Sequence, residues 1–163
     1  HLAPAADMTW SETAMSESFY FTNMSPQLPG FNRGIWKMLE EQVRVWAIEY
    51  DSIYVATGPV FKVVDSAIGE NKVTIPTHFY KTILIFNDSI KQGIGFLFPH
   101  EKLKGEILDY KVEIDSLELF TGINFYSSLP DSVENILEKT IVAADLSGEL
   151  SYYIYPFTNQ TLS

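Results

Sequence analysis

The sequence predicts an α+β domain, on three observations. Apolar residues recur with helical period over one long stretch, where Ile35, Leu39, Val43 and Trp46 fall at i, i+4, i+8 and i+11. Runs rich in β-branched and aromatic residues come after it, at 53–56, 79–86 and 93–98. One long helix set among strands, with no regular alternation of the two, describes segregated layers rather than a parallel α/β sheet. At 163 residues the chain reads as a single domain spanning 1–163, and 46% hydrophobic residues against 20% charged exclude a disordered chain. The absence of cysteine excludes a disulfide framework, a thiolate zinc site and a cysteine nucleophile. The longest unbroken apolar run, at 83–86, is far too short to cross a membrane, so no membrane partner is expected.

Residues 1–22 read as loop with one short element, broken by Pro4 and by the Ser/Thr/Glu-rich stretch 11–18, and ending in a short strand at 19–21 (FYF). Residues 23–31 carry Pro26, Pro29 and Gly30 and read as a structured loop. Asn32 stands where a helix N-cap belongs, and the apolar stripe beyond it predicts a helix from Arg33 to about Glu49. Residues 53–56 (IYVA) predict a buried strand that the pair Gly58-Pro59 ends. Two more strands are expected at 79–86 (FYKTILIF) and 93–98 (GIGFLF), joined by a polar turn at 87–91. Residues 108–114 alternate, predicting a strand that feeds a short helix at 115–120, which Gly122 stops. Asp131 caps a second short helix, 132 to about 139, and the aromatic stretch 151–157 (SYYIYPF) reads as an edge strand.

Eleven Lys and Arg face 21 Asp and Glu, a formal net charge of −10. Taken alone this argues against nucleic acid, whose binding depends on cations that meet phosphates. The charge is uneven, however. Residues 1–100 hold 7 basic and 10 acidic side chains, whereas residues 101–163 hold 4 and 11. The acidity belongs mainly to the last third.

The histidines are His1, His78 and His100. His78 comes after Pro76 at a strand entrance and His100 after Pro99 at a strand exit, with nothing beside either that suggests chemistry; both read as structural. His1 is set apart by the residues downstream of it. These are Leu2-Ala3-Pro4-Ala5-Ala6-Asp7 and Trp10, then Thr22-Asn23-Met24-Ser25-Pro26-Gln27, then Phe31-Asn32-Arg33-Gly34-Ile35-Trp36-Lys37 with Leu39-Glu40. These ordered motifs strongly resemble the DNA/RNA non-specific endonucleases, the ββα-metal (His-Me finger) nucleases that include endonuclease G. Their signature runs D-R-G-H, L-A-P-A, N-M-x-P-Q and N-x-G-x-W-x-x-L-E. Further matches are YVATGP at 54–59, IPTHFYK at 75–81, GFL at 95–97, LFTGINF at 119–125 and LP at 129–130, so the resemblance covers roughly residues 1–140.

The resemblance implies a ββα-metal fold, with a mainly antiparallel central sheet, a long metal-site helix and short C-terminal helices. It implies a Mg²⁺-dependent endonuclease, with Mn²⁺ as an alternative ion, that cuts DNA and RNA to 5′-phosphate and 3′-hydroxyl ends. His1 matches the general base, a role suited to an imidazole whose ordinary pKa lies near working pH. Asn32 matches the sole direct protein ligand of the metal, and Glu40 the carboxylate that holds the metal's water shell. Asn23 matches a second active-site amide, placed to bond the histidine region or the phosphate. Read without the family, Asn32 is a plain N-cap and Glu40 the i,i+4 partner of Arg44. A non-catalytic descendant of the fold, binding nucleic acid or protein, is the alternative function. The family motif has D-R-G before its histidine, whereas this sequence opens at the histidine. The expectation is therefore that residues 1–163 form the C-terminal major part of the domain. The remainder would lie in cis or on a separate chain, and the 163 residues alone would be weakly active or inactive. The resemblance also suggests a secreted or periplasmic bacterial protein and leaves monomer and homodimer both open.

Overall fold

The computed structural model describes residues 1–62, 66–88 and 90–139. The chain starts with turns. A 3₁₀ turn at Ala5–Met8 leads into helix α1 (Glu12–Glu17), whose N-cap Ser11 accepts a hydrogen bond from the Ala14 N–H at 3.4 Å. The strand expected at 19–21 does not form. Tyr20 N–H donates to the Glu17 carbonyl and Asn23 N–H to the Tyr20 carbonyl, so local turns take the backbone groups that a ladder would need, and Phe21–Asn23 is a 3₁₀ turn. Aromatic β-propensity has no effect without a strand to pair with.

The long helix arrives in three consecutive pieces: α2 (Pro29–Phe31), a π turn at Asn32–Trp36, and α3 (Lys37–Glu49). Its start differs from the expectation. Pro29 opens it and Leu28 is the N-cap, because proline has no N–H to leave unsatisfied in a first turn and its φ already suits a helix. Asn32 has helical angles (φ −59°, ψ −44°) and so lies inside the helical run rather than capping it. Gly34 departs from them (φ −99°, ψ −118°), and the helix kinks there.

Strand β1 (Tyr54–Val60) pairs antiparallel with β4 (His78–Phe86), after a small hairpin of β2 (Ala67–Ile68) and β3 (Val73–Thr74). β1 does not stop at Gly58-Pro59 but runs through it. Pro59 lies opposite Phe79 on the sheet's outer strand, the position where a missing N–H is tolerated. β4 pairs along its whole length with β5 (Lys91–Pro99), and β6 (Lys111–Val112) completes a sheet of order β1-β4-β5-β6. The strand expected at 108–114 shrinks to those two residues. Ile107–Tyr110 is a 3₁₀ turn, held by a reciprocal capping box between Glu106 and Asp109. Helix α4 (Ile114–Thr121) ends as expected at Gly122, which is left-handed (φ 76°), and α5 (Asp131–Lys139) comes next. The edge strand expected at 151–157 lies outside the described residues.

The sheet is covered on both sides. Phe79, Ile83 and Ile85 of β4 and Ile94, Phe96 and Phe98 of β5 pack with Phe31, Ile35, Trp36, Leu39 and Trp46 of the long helix. Tyr80 and Val60 join Ile114, Leu117 and Phe125 in a second cluster, with α4. This is the α+β arrangement expected, an antiparallel sheet with the long helix on one face and the shorter ones on the other.

Gly58 lies opposite Tyr80 in the β1–β4 ladder, and the Tyr80 ring folds over the space a side chain would take. A Cβ there would stand 2.7 Å from the Tyr80 hydroxyl and 2.8–2.9 Å from two carbons of its ring. We expect Gly58→Ala to lose roughly 1–3 kcal/mol, because a rigid ring must move. A urea midpoint within error of the parent would show that the ring yields freely.

Candidate active site

The first residues reach the long helix through three attachments. Leu2 packs against the larger core cluster, and its N–H donates to the Asn23 carbonyl at 2.9 Å. The Asn23 side chain bonds on both sides: Oδ1 accepts from the Ala3 N–H at 2.8 Å, while Nδ2 donates to the carbonyls of Ala3 (2.9 Å) and Ser18 (2.8 Å). Asp7 Oδ1 accepts a short hydrogen bond from Arg44 Nε, tying the N-terminal turns to α3.

These attachments bring His1 beside α3. Its ring stands edge-on to Phe19, with centroids 4.6 Å apart, and Nε2 is buried without a hydrogen-bond partner. The His1 backbone nitrogen lies within electrostatic reach of Glu40 and Lys81. His1 and Glu40 thus share one neighbourhood. Asn32 starts the π turn on the same helical run as Glu40, but no contact joins it to His1.

The two plain readings of the helix residues do not hold. Asn32 is exposed and makes no capping bond. Glu40 is half-buried, and Arg44, its expected i,i+4 partner, has its Nε turned to Asp7. No hydrogen bond or ion pair to a described residue engages either the Asn32 amide or the Glu40 carboxylate. An amide oxygen and a carboxylate without protein partners suit a hard divalent ion that keeps several waters and takes one or two protein oxygens. Among the described residues, no three His, Asp or Glu side chains converge into a closed metal cage.

One of the charges around Glu40, Lys81, reads in the sequence as a solvated surface lysine that could touch phosphate, whereas the structure buries it. Burial raises the Glu40 carboxyl above its ordinary range, and the positive charges of Lys81 and Arg44 oppose the rise. Lys81 is itself only 2% exposed, and its Nζ stands 4.6 Å from the centroid of the Trp36 ring. Burial lowers Lys81 to about 8, against the pull of Glu40 and Asp7. The one available signal was register: Lys81 is in phase with Phe79, Ile83 and Ile85, which face the core. Arg44 and Asp7 carried no signal, since their pairing spans distant parts of the chain.

The other histidines serve the fold, as expected. His100 Nε2 accepts from the Leu28 N–H at 2.8 Å, and Nδ1, protonated in that tautomer, donates to the Pro76 carbonyl at 2.9 Å. The ring is edge-on to both Phe31 and Phe79. His78 lies against Phe120 with Nδ1 3.0 Å from the Thr77 hydroxyl, and burial lowers its pKa, with Lys62 adding to the effect.

The profile of the DNA/RNA non-specific endonucleases matches residues 1–132, nearly the whole described chain. The chain belongs to this family. Nuclease C1 of Cunninghamella echinulata var. echinulata is 34% identical over 162 residues, covering 91% of this chain and 64% of that protein. Mitochondrial endonuclease G of Bos taurus is 39% identical over 142 residues (79% and 48%), and the mitochondrial nuclease of Saccharomyces cerevisiae 33% over 162 (86% and 49%). A chain in the crystal structure of the EndoG/EndoGI complex superposes with a TM-score of 0.75 at 31% identity, covering 80% of this chain and 59% of that one. The chain therefore spans about half to two-thirds of the length of the relatives it matches. The likeness to the EndoG chain agrees with the ββα-metal fold expected from the motifs. Among the described residues, no helix is long and apolar enough to cross a membrane.

Lys81 makes the stability of this family member pH-dependent in a defined direction. Between pH of about 8 and 10.5 the unfolded chain holds a proton on Lys81 that the folded chain has lost, so this group's contribution to stability rises as pH rises through that window. The expected outcome is that Lys81→Met is more stable than the parent near pH 7, with the gap narrowing towards pH 10.5. A gap that stays constant in urea unfolding across the range would mean that Lys81 is not held in a charge-disfavouring environment.

Proposed function

We propose that this chain carries the catalytic core of a Mg²⁺-dependent, sugar-non-specific endonuclease that hydrolyses DNA and RNA to 5′-phosphate and 3′-hydroxyl ends. The carrying observation is that three polar groups lack protein partners on or beside one helix: Nε2 of His1, the Asn32 amide and the Glu40 carboxylate. Buried or half-buried polar groups are normally bonded, so the open His1 Nε2 and Glu40 carboxylate support a ligand site, to which the exposed Asn32 amide could add an oxygen. His1 is the general base. Its Nε2 takes a proton from the water whose oxygen forms a bond to phosphorus as the bond to the 3′ oxygen breaks. Asn32 would hold Mg²⁺ directly and Glu40 through water; the ion, when bound, stabilises charge on the phosphate and on the leaving oxygen. Asn23 acts at one remove. Its amide N–H groups both reach backbone carbonyls, which supports a role in seating residues 1–3 rather than in touching phosphate.

A secreted or periplasmic setting is proposed from the family resemblance alone; two of the relatives are named as mitochondrial. The test of function is digestion of plasmid DNA and of RNA by the full-length protein with Mg²⁺ present or chelated. We expect Asn32→Ala and His1→Ala each to lower kcat by about 10²–10³. Asn32→Ala should leave thermal stability unchanged, since the residue is exposed and unbonded. Asn23→Ala should lose both activity and about 1–3 kcal/mol of stability, because it leaves backbone groups unpaired. Metal-dependent cleavage that survives undiminished in Asn32→Ala would remove the metal assignment.

A further inference from the structure

Phe19, Tyr20 and Phe21 have the composition of a strand and form none, and all three side chains are exposed. None of them belongs to either core cluster. Exposed aromatic surface gains nothing for the fold, so burial does not explain these residues. For Phe19 the structure supplies another reason. Among the described residues its ring meets one other, the imidazole of His1, with centroids 4.6 Å apart and planes at 85°.

The backbone on both sides of this ring pair is held by one side chain. Asn23 Nδ2 donates to the Ala3 carbonyl at 2.9 Å and to the Ser18 carbonyl at 2.8 Å. A single amide therefore fixes a residue two beyond His1 and the residue just before Phe19. The Leu2 N–H, donating to the Asn23 carbonyl, ties the neighbour of His1 to the same turn. On the Phe19 side, buried Ser18 donates from Oγ to the Met15 carbonyl at 2.7 Å, and the Phe19 N–H donates to the Ser16 carbonyl at 3.2 Å. The imidazole itself is held differently. A working histidine is ordinarily oriented by a hydrogen bond to one ring nitrogen, which leaves the other for chemistry. No hydrogen bond to a described residue holds the His1 ring. An upright ring against it limits rotation about the bond from Cβ to the imidazole and does the same work.

We propose that Phe19 is a positioning residue for the nuclease reaction: its ring, set by the Asn23 clamp, fixes the plane of the His1 imidazole and so the direction in which Nε2 takes a proton. This rests on the reading of His1 as the general base. Phe19 has no polar side-chain atom and moves no proton, so its effect passes through the imidazole. Phe21, exposed in the same turn and without a ring contact to His1, is the internal control.

The experiment compares Phe19→Leu, Phe19→Tyr and Phe21→Leu in the full-length protein by Mg²⁺-dependent DNA cleavage, thermal unfolding and the NMR resonances of the His1 ring. Phe19→Leu is expected to lower kcat about tenfold or more, with KM and melting temperature little changed. Phe19→Tyr keeps the ring and is expected to retain kcat, as is Phe21→Leu. The His1 ring resonances should move in Phe19→Leu and stay in place in Phe21→Leu, because only the first removes an aromatic neighbour of the imidazole. In a His1→Ala background, Phe19→Leu is expected to change the residual kcat by less than roughly twofold, since the ring it orients is gone. A Phe19→Leu variant within roughly twofold of the parent, an equal loss in Phe21→Leu, or a loss undiminished in the His1→Ala background would overturn the assignment. If Phe19→Leu does not fold, Phe19→Met is measured in its place; if neither folds, the ring is a determinant of the fold and the assignment fails. A parent without metal-dependent cleavage would sink the nuclease reading itself, wherever the His1 resonances fall. An active parent whose His1 resonances or kcat ignore Phe19→Leu sinks only this step.

Discussion

The burial of Trp36 against the central strands sets the geometry on which the site depends. Its ring has no solvent exposure and stacks with Phe31 at 5.5 Å, while Phe79 and Phe98 meet it at 5.6 and 6.2 Å. Residue 36 is four after Asn32 and four before Glu40, so the helix rotation that buries the indole also decides where those two side chains fall. Asn32 emerges exposed and Glu40 half-buried, on the margins of the stripe that contains the tryptophan. The kink at Gly34 lies between Asn32 and Trp36 and adjusts the helix entrance without disturbing the packed part. A rigid aromatic core can thus orient polar groups that have no protein partners of their own.

The N-terminal residues reach this helix by contacts that involve little of the expected chemistry. Leu2 is an apolar anchor, Asn23 a hydrogen-bonded clamp, and Asp7 with Arg44 a charged tie. Together they hold His1 near Glu40, although the two lie far apart in the chain. The same neighbourhood clarifies the net charge of −10. Arg44 and Lys81 balance Asp7 and Glu40 around the site, so the global excess of acid does not describe the local field. Most of the surplus lies after residue 100, on segments that contribute to the second cluster and to the chain's end. Steering by whole-molecule charge and binding at a site are separate effects, and the second acts at short range.

Elements that rest on local periodicity were legible in the sequence. The stripe at 35, 39, 43 and 46 marks a real helix, the runs at 79–86 and 93–98 are paired strands, and Gly122 ends its helix in the left-handed conformation that glycine adopts readily. Elements whose identity depends on a partner were not. Phe19-Tyr20-Phe21 has strand composition but finds turn bonds first, and residues 108–114 alternate yet are divided among a capped 3₁₀ turn, a two-residue strand and the start of a helix. Pro59 reads as a stop only if its strand is central, and the strand lies at an edge.

The sequence by itself determined the family and the four residues on which its chemistry was expected to rest, because ordered motifs preserve residue types at spacings that need no coordinates. It also determined the α+β class, since helical and strand periods are local properties of the chain. Only the tertiary structure decided which groups are left without partners and which are engaged. It turned Arg44 from Glu40 to Asp7, occupied the Asn23 amide with backbone, and sealed Lys81 beneath Trp36. Each of these depends on segments tens of residues apart coming into contact. Pairing and burial are properties of that contact, and the spacing of residues along a chain does not encode them directly.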